Sequence, residues 1–265
     1  MSQKGLFSVF RVQSVRQENA RTQTLILDAG LPNAWPGQFV MAWLPGIGEK
    51  PFSISGNSPL SLTVCDVGPV SHALCQIKAG DQLWVRGPLG QGFTLSRQAH
   101  ILVGGGYGAA PLHFLAKQAL ALGHEVTACL GAKTRADLIM VEQFEELGCP
   151  VLIATEDGSA GVQGLVSLPL LHALGQNPRA GVYACGPNGM LLAVHRLCQS
   201  VQVAVQLSFE ALIRCGIGLC GSCELSEETC QLLGIPSGFL VCHDGPVVVP
   251  GQALIGEPFN PGLTR

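Results

Sequence analysis

The sequence predicts three parts in order: a small antiparallel β-barrel over residues 1–97, an α/β doubly wound domain on a parallel sheet over residues 98–207, and a small C-terminal domain over residues 208–265. Three observations carry this division. Short apolar strands separated by turn residues fill the first part, which is the spacing of a small barrel. From Ala99 the pattern changes to apolar strands alternating with amphipathic helices, and this calls for a parallel sheet covered on both faces. Beyond residue 208 the alternation stops, the chain becomes loop-rich, and five of its 11 cysteines appear.

In the first part, residues 6–12, 22–27, 38–43 and 60–64 read as strands, divided by Pro36-Gly37, Pro45-Gly46, Gly48 and Gly80-Asp81. Residues 70–77 read as one brief helix, with Ser71 placed to cap it. In the second part, strands are expected at residues 100–103, 126–130, 151–154, 182–185 and 203–207, and helices at 111–122, 138–147, 165–174 and 189–199. The most apolar window, residues 101–122, is interrupted by Gly104, Gly105, Gly106, Gly108 and Pro111 and carries His113 and Lys117. A strand, a glycine turn and a helix account for it better than a membrane span.

The bulk composition excludes several classes of function. Net charge is -3 with no basic run, so there is no electrostatic footprint for nucleic acid or anionic lipid. Charged residues make up only 12% of the chain, against a usual quarter, which fits a protein that covers part of its surface with a partner subunit. The first ten residues hold one lysine and lead into no sustained apolar stretch, so no signal peptide is read and a cytoplasmic location is expected. In that setting an odd number of cysteines points to metal or redox chemistry rather than disulfides.

Cys215, Cys220 and Cys223 stand in a C-x4-C-x2-C run, and Cys242 follows after 18 intervening residues. Three thiolates on one tight loop with a distant fourth is the spacing that wraps a plant-type [2Fe-2S] cluster. Gly216, Gly218 and Gly221 suit such a loop, because its amides must turn toward inorganic sulfur and glycine permits those dihedrals. Ser222 is placed to add a hydrogen bond. A structural zinc site also uses four thiolates, although its ligands more often come as two close pairs. Cys230 competes for the fourth position. Cys242 is favoured because it lies in a strand-then-turn setting, whereas Cys230 follows the charged residues 224–228.

Two further stretches read as nucleotide sites. Lys50, Pro51, Phe52 and Ser53 place a cation, a ring and a hydroxyl where a flavin dinucleotide needs a phosphate counter-charge, a flat contact and a hydrogen bond, at the end of an early strand. Gly68, Val70 and Ser71 open the brief helix, and exposed amides there serve either a pyrophosphate or simple capping. Gly104, Gly106 and Ala109 satisfy G-x-G-x-x-A between a strand and a helix, the setting of a dinucleotide turn, and Gly108 belongs to the same turn. No acidic residue ends the second strand of this domain. Lys133 and Arg135 stand there instead, with Asp157 after the third strand as another ribose contact, so NADH and NADPH both remain open. Cys185, Gly186 and Pro187 follow the fourth strand, where a small thiol fits beside a nicotinamide or a core cysteine simply packs.

Taken together these motifs resemble the ferredoxin reductase superfamily and, within it, the electron-transfer subunits of dihydroorotate dehydrogenase B, along nearly the whole chain. Lys50 to Ser53 match the R-P-[FIY]-S flavin signature with Lys in place of Arg. The hairpin Thr63, Val64 and Cys65, and the turn ending in Val70 and Ser71, match where that family holds the rest of FAD, although it usually has Gly-Thr at the last two positions. Residues 87–93 match the G-P-x-G-x-x-F link, residues 104–111 the G-G-G-x-G-x-x-P turn, and Glu210 with residues 215–220 the E-x4-C-G-x-G-x-C entry to the cluster. The resemblance implies bound FAD, a [2Fe-2S] cluster and NAD(H) as co-substrate, and no side-chain acid, base or nucleophile. It also implies an FMN-containing catalytic partner in a heterotetramer of two of each chain, serving pyrimidine biosynthesis. Lysine lacks the bidentate fork of arginine, and the insert before Cys242 is slightly long, so two other readings stay beside it. One is a diaphorase subunit of a hydrogenase or of a ferredoxin–nicotinamide oxidoreductase. The other is a flavin-free redox-sensing or zinc-stabilised binding module.

Overall fold

In the computed structural model, which describes residues 6–252, six antiparallel strands close into a barrel. They are β1 (Ser8–Asn19), β2 (Thr22–Leu27), β3 (Phe39–Leu44), β4 (Gly48–Asn57), β5 (Leu60–Cys65) and β6 (Gln82–Leu89), joined in the order β1-β2-β5-β4-β3-β6. Alternation along β5 shows why the barrel closes: Leu60, Leu62 and Val64 are fully buried while Ser61, Thr63 and Cys65 face outward. The inward residues meet Leu25, Leu27, Val40 and Ile54 in one core.

Two local expectations are corrected here. Lys50 to Ser53 do not end a strand but lie in the middle of β4. Gly48, Pro51 and Gly56 hide that strand from a period-two reading. Proline is tolerated because this half of β4 pairs only with β3, Met41 standing opposite Pro51. The brief helix, α1 (Pro69–Leu74), is capped by Gly68 rather than by Ser71. The Ser71 hydroxyl lies inside the first turn instead, accepting from the Val67 amide at 3.0 Å and donating to the Gly68 carbonyl at 3.0 Å.

The second part holds β7 (Ala99–Gly105), α2 (Ala109–Ala121), β8 (Glu125–Ala132), α3 (Val141–Glu146), β9 (Val151–Thr155), β10 (Val162–Gln163), α4 (Ser167–Gln176), β11 (Gly181–Cys185), α5 (Asn188–Ser200) and β12 (Val205–Ser208). Helix α3 starts later than the pattern suggests, because Leu138 is extended and Met140 takes a left-handed conformation at φ +64 just before it. The sheet runs β10-β9-β8-β7-β11-β12 with all these pairs parallel. Strand order therefore reverses between β7 and β11, and a doubly wound sheet opens its ligand crevice at the carboxyl ends of those two strands.

The C-terminal segment joins this sheet. β13 (Val247–Val248) pairs antiparallel with β12, and α6 (Glu227–Leu233), which the sequence pattern did not suggest, fills the insert between Cys223 and Cys242. Cys230, Leu233, Phe239 and Val241 share one core with Val182 and Leu207 of the sheet and with Phe39 and Leu89 of the barrel. Residues 1–5 and 253–265, the outer ends of the first and third parts, lie outside the described residues. Among the described residues no helix is long and apolar enough to cross a membrane.

Barrel and sheet interlock through α2. Phe114, on that helix, is 1% exposed and belongs to the barrel core. At the far end of β1, the Arg16 guanidinium donates to Met140 Sδ at 3.6 Å across the same boundary. Phe114→Ala is expected to cost about 3–5 kcal/mol in urea unfolding, the usual effect of emptying a buried aromatic site. Its denaturant midpoint should fall for the barrel and the sheet together, monitored by Trp43/Trp84 fluorescence and far-UV dichroism; separate transitions would contradict the interlock.

Candidate functional site

A cleft of about 240 Å³ lies between the barrel and the α/β sheet, and it gathers stretches that are far apart in sequence. Lys50, Pro51 and Ser53 enter it from β4, Thr63 and Cys65 from β5, and Gly108 and Cys185 from the crevice of the sheet. The floor of the crevice is set by close backbone approach. A Cβ at Gly108 would lie 2.2 Å from the Cys185 carbonyl oxygen, and one at Gly104 would lie 2.9 Å from Ala109 Cα. Gly106, at φ +54, has open space where a side chain would be, so its backbone is free to approach a ligand.

The other predicted positions divide by orientation. Phe52 is largely committed to the barrel core and presents only an edge to the cleft. Val64 is fully buried, so only its backbone can face a ligand. Thr63 is held by hydrogen bonds with Thr24 at 2.9 Å and Ser55 at 3.2 Å. Val70 and Ser71 lie on α1, outside the cleft lining, and the Ser71 hydroxyl is spent on its own turn. Gly186 and Pro187 turn the chain from β11 into α5, with Pro187 at the helix N-terminus.

Charge in the cleft centres on Glu210, which the sequence motifs marked only as the entry to the cysteine run. Tyr107, 103 positions away, donates its hydroxyl to Glu210 Oε2 at 2.9 Å. Burial raises the Glu210 carboxyl above its ordinary range, while the Tyr107 hydroxyl and the Lys50 charge pull it back. Burial, with the Glu210 charge added to it, pushes the Cys185 thiol up to about 12, so it is a neutral, apolar contact. No local signal could have revealed the Tyr107–Glu210 pair, since only the return of the chain after β12 brings the two together. At the outer end of the crevice, Asp157 accepts from the Ser159 amide and hydroxyl, and the Ser159 hydroxyl accepts from the Arg135 amide at 2.7 Å.

The four cysteines of the C-terminal run come together. Leu219 N–H donates to Cys215 Sγ at 3.3 Å, Gly218 N–H to Cys242 Sγ at 3.2 Å, and Cys242 N–H to Cys223 Sγ at 3.4 Å. Gly216, Gly218 and Gly221 all have φ between +72 and +80, which is what turns these amides inward. The thiols form two contacting pairs, Cys215 with Cys220 and Cys223 with Cys242. Ser222 makes its expected hydrogen bond, to Cys220 Sγ at 2.8 Å. No group of three or more His, Cys, Asp or Glu side chains among the described residues is gathered about a single-ion point. Cys230 is not part of the group. It is fully buried on α6, with its sulfur 3.9 Å from the Leu225 carbonyl. Leu212, Ile217 and Leu219 around the loop are exposed, Leu219 to 80%.

Residues 210–253 match the model of the iron-sulfur cluster binding domain of dihydroorotate dehydrogenase B, and residues 102–196 match the oxidoreductase NAD-binding domain. A probable dihydroorotate dehydrogenase B (NAD(+)) electron transfer subunit from Thermococcus kodakarensis is 40% identical over 221 residues, 83% of this chain and 87% of that one. The protein of the same description from Methanocaldococcus jannaschii is 34% identical over 239 residues, 90% of this chain and 88% of that one. Among solved structures, an NADH-dependent reduced ferredoxin-NADP oxidoreductase superposes with a TM-score of 0.78 at 28% identity, covering 93% of this chain and 90% of its own. The FAD/NAD binding domain of a Vibrio cholerae nitric oxide dioxygenase shares the fold, with a TM-score of 0.66 at 21% identity over 77% of this chain and 98% of its own.

Tyr107→Phe removes the hydrogen bond that favours the Glu210 carboxylate, so the Glu210 carboxyl should titrate at higher pH than in the wild type. In rapid-mixing measurements of NADH oxidation, any limb governed by Glu210 should move toward alkaline pH in this variant. It should vanish in Glu210→Gln; an unmoved limb in both would show that the carboxyl plays no part.

Proposed function

The chain belongs to the family of dihydroorotate dehydrogenase B electron-transfer subunits, and from that membership we propose that it relays electrons between NAD(H), FAD, a [2Fe-2S] cluster and an FMN-containing dihydroorotate dehydrogenase partner, in pyrimidine biosynthesis in the cytoplasm. One observation carries the reading. Phe209, Glu210, Ala211 and Ile213 line the nucleotide cleft, and Cys215 opens the cysteine loop immediately after them, so one short segment links the two sites.

The residues fit the groups they would hold. Gly106 leaves backbone room for the dinucleotide phosphates, Gly104 and Gly108 let the turn pack tightly on α2 and β11, and Cys185 bounds the space for a nicotinamide where Gly186 and Pro187 turn the chain into α5. Lys50 supplies the counter-charge for FAD, Ser53 and Thr63 face its ring system, and Pro51 and the edge of Phe52 complete that wall. Cys65 borders the remainder, with Val64 buried behind it in the barrel and Val70 and Ser71 on α1 beyond the cleft lining. Cys215 and Cys220 would take one iron and Cys223 and Cys242 the other, in keeping with two thiol pairs on a loop whose amides already point at sulfur. The chemistry these groups supply when bound is exchange between paired electrons at nicotinamide and single electrons at a cluster. The chain's own side chains position, neutralise and exclude water, and none acts as nucleophile.

The exposed apolar rim of Leu212, Ile217 and Leu219 beside the exposed Cys220 is where the partner docks, two of each chain making the assembly. The likeness to the NADH-dependent ferredoxin-NADP oxidoreductase favours, as a second reading, a partner from that class of complex. Co-purification with the partner, and the flavin that the partner holds, separates the two.

Anaerobically purified protein is expected to contain iron, acid-labile sulfide and flavin, with visible bands that bleach on adding NADH; a colourless, zinc-containing protein would overturn the relay. Cys220→Ser should lose the cluster absorption and transfer to one-electron protein acceptors, while NADH still bleaches the flavin. Cys230→Ala should keep its full iron and sulfide content, which an alternative ligand set would not allow.

A further inference from the structure

We propose that Arg86, paired with Glu49, is the positioning residue that ties the flavin strand to the cluster loop and sets the charge felt by the group held there. The inference rests on the cluster assignment above and goes beyond it, because neither residue belongs to any nucleotide or cysteine motif of the chain.

Arg86 lies on β6 with its side chain only 9% exposed. Its Nη2 donates to the Cys215 carbonyl at 2.8 Å, and its Nε donates to Glu49 Oε1 at 2.6 Å. The guanidinium runs along the loop backbone, since a Cβ at Gly216 would stand 3.4 Å from Nη1, and its outer face lies 5.8 Å from the centroid of the Phe7 ring. Glu49 on β4 immediately precedes Lys50, and Arg86 immediately precedes the Gly87-Pro88 link. A single planar side chain therefore bridges the strand that faces the cleft and the carbonyl of the first loop cysteine.

Stiffness alone does not need a charge, because a neutral amide can also donate to a carbonyl. Burying a guanidinium costs desolvation, and Glu49 offsets that cost at one edge while the other edge faces the loop. A cluster gains negative charge on reduction, and its potential responds to nearby net charge and to hydrogen bonds around its ligands. Arg86 is the closer member of the pair to Cys215, so its charge favours the reduced state. Glu49, one residue further out, moderates that effect and fixes the fork in the orientation that reaches Cys215.

The test is an anaerobic redox titration of the full-length cofactor-loaded protein, following the cluster by electron paramagnetic resonance, with iron content measured in parallel. Arg86→Leu, which leaves Glu49 alone, is expected to shift the cluster midpoint to more negative potential. Glu49→Gln, which leaves Arg86 alone, is expected to shift it to more positive potential. Arg86→Lys keeps the charge and should stay on the wild-type side of Arg86→Leu. A merely structural strut would move both single variants in one direction, or lower iron content without moving the potential of the clusters that remain. Either of those results, or unmoved potentials, would overturn the inference. Should Arg86→Leu fail to fold, the sign of the Glu49→Gln shift decides the question. Wild-type protein without iron and sulfide would instead overturn the cluster assignment itself.

Discussion

The molecule is organised around one steric constraint, the contact between the turn after β7 and the turn after β11. Gly108 has no room for a side chain because the Cys185 carbonyl occupies the space. With the two turns touching, α2 begins close against the sheet, and its outer face carries Phe114 into the barrel. The cleft exists because barrel and crevice are clamped at this point. Its polar groups, Lys50, Ser53, Thr63, Tyr107 and Glu210, come from strands and turns on either side of that clamp.

Few charges are present, and those near the cleft are placed with partners. Lys50 faces Glu210, Tyr107 bonds Glu210, and Arg86 joins Glu49 to the Cys215 carbonyl. In a partly buried setting each such group acts more strongly than it would in water, because fewer solvent dipoles screen it. A chain with 12% charged residues can therefore direct nicotinamide, flavin and cluster chemistry with a handful of side chains. The same thin charge leaves an apolar rim of Leu212, Ile217 and Leu219 around the exposed Cys220, which suits a surface that spends its time against another protein.

The C-terminal segment is not an appendage. Its strand extends the sheet beside β12, its helix packs Cys230 and Leu233 inward, and Gly245 lies against the Gly90 turn of the link between barrel and sheet. The cysteine loop is held from three directions, by the sheet, by the barrel through Arg86, and by its own helix.

Much of this was legible in the sequence because it is local. Period-two strands, the switch to strand–helix alternation, the glycine turn before α2 and the C-x4-C-x2-C run each depend on residues a few positions apart, and the structure places those elements within a few residues of where the pattern puts them. The preference for Cys242 over Cys230 came from local setting too, and the structure puts Cys242 Sγ on the Gly218 amide while Cys230 points into the core. What the sequence could not determine is whatever arises when distant segments meet. Strand β4 was hidden by Gly48 and Pro51, and the proline is tolerated because that half of the strand has a single neighbour. Tyr107 and Glu210, and Arg86 with Cys215, stand 103 and 129 positions apart. Such pairs leave no periodic trace, because side-chain periodicity records which face of an element is buried and carries no record of what it is buried against. Tertiary structure alone decided the cleft, its charges and the strut to the cysteine loop.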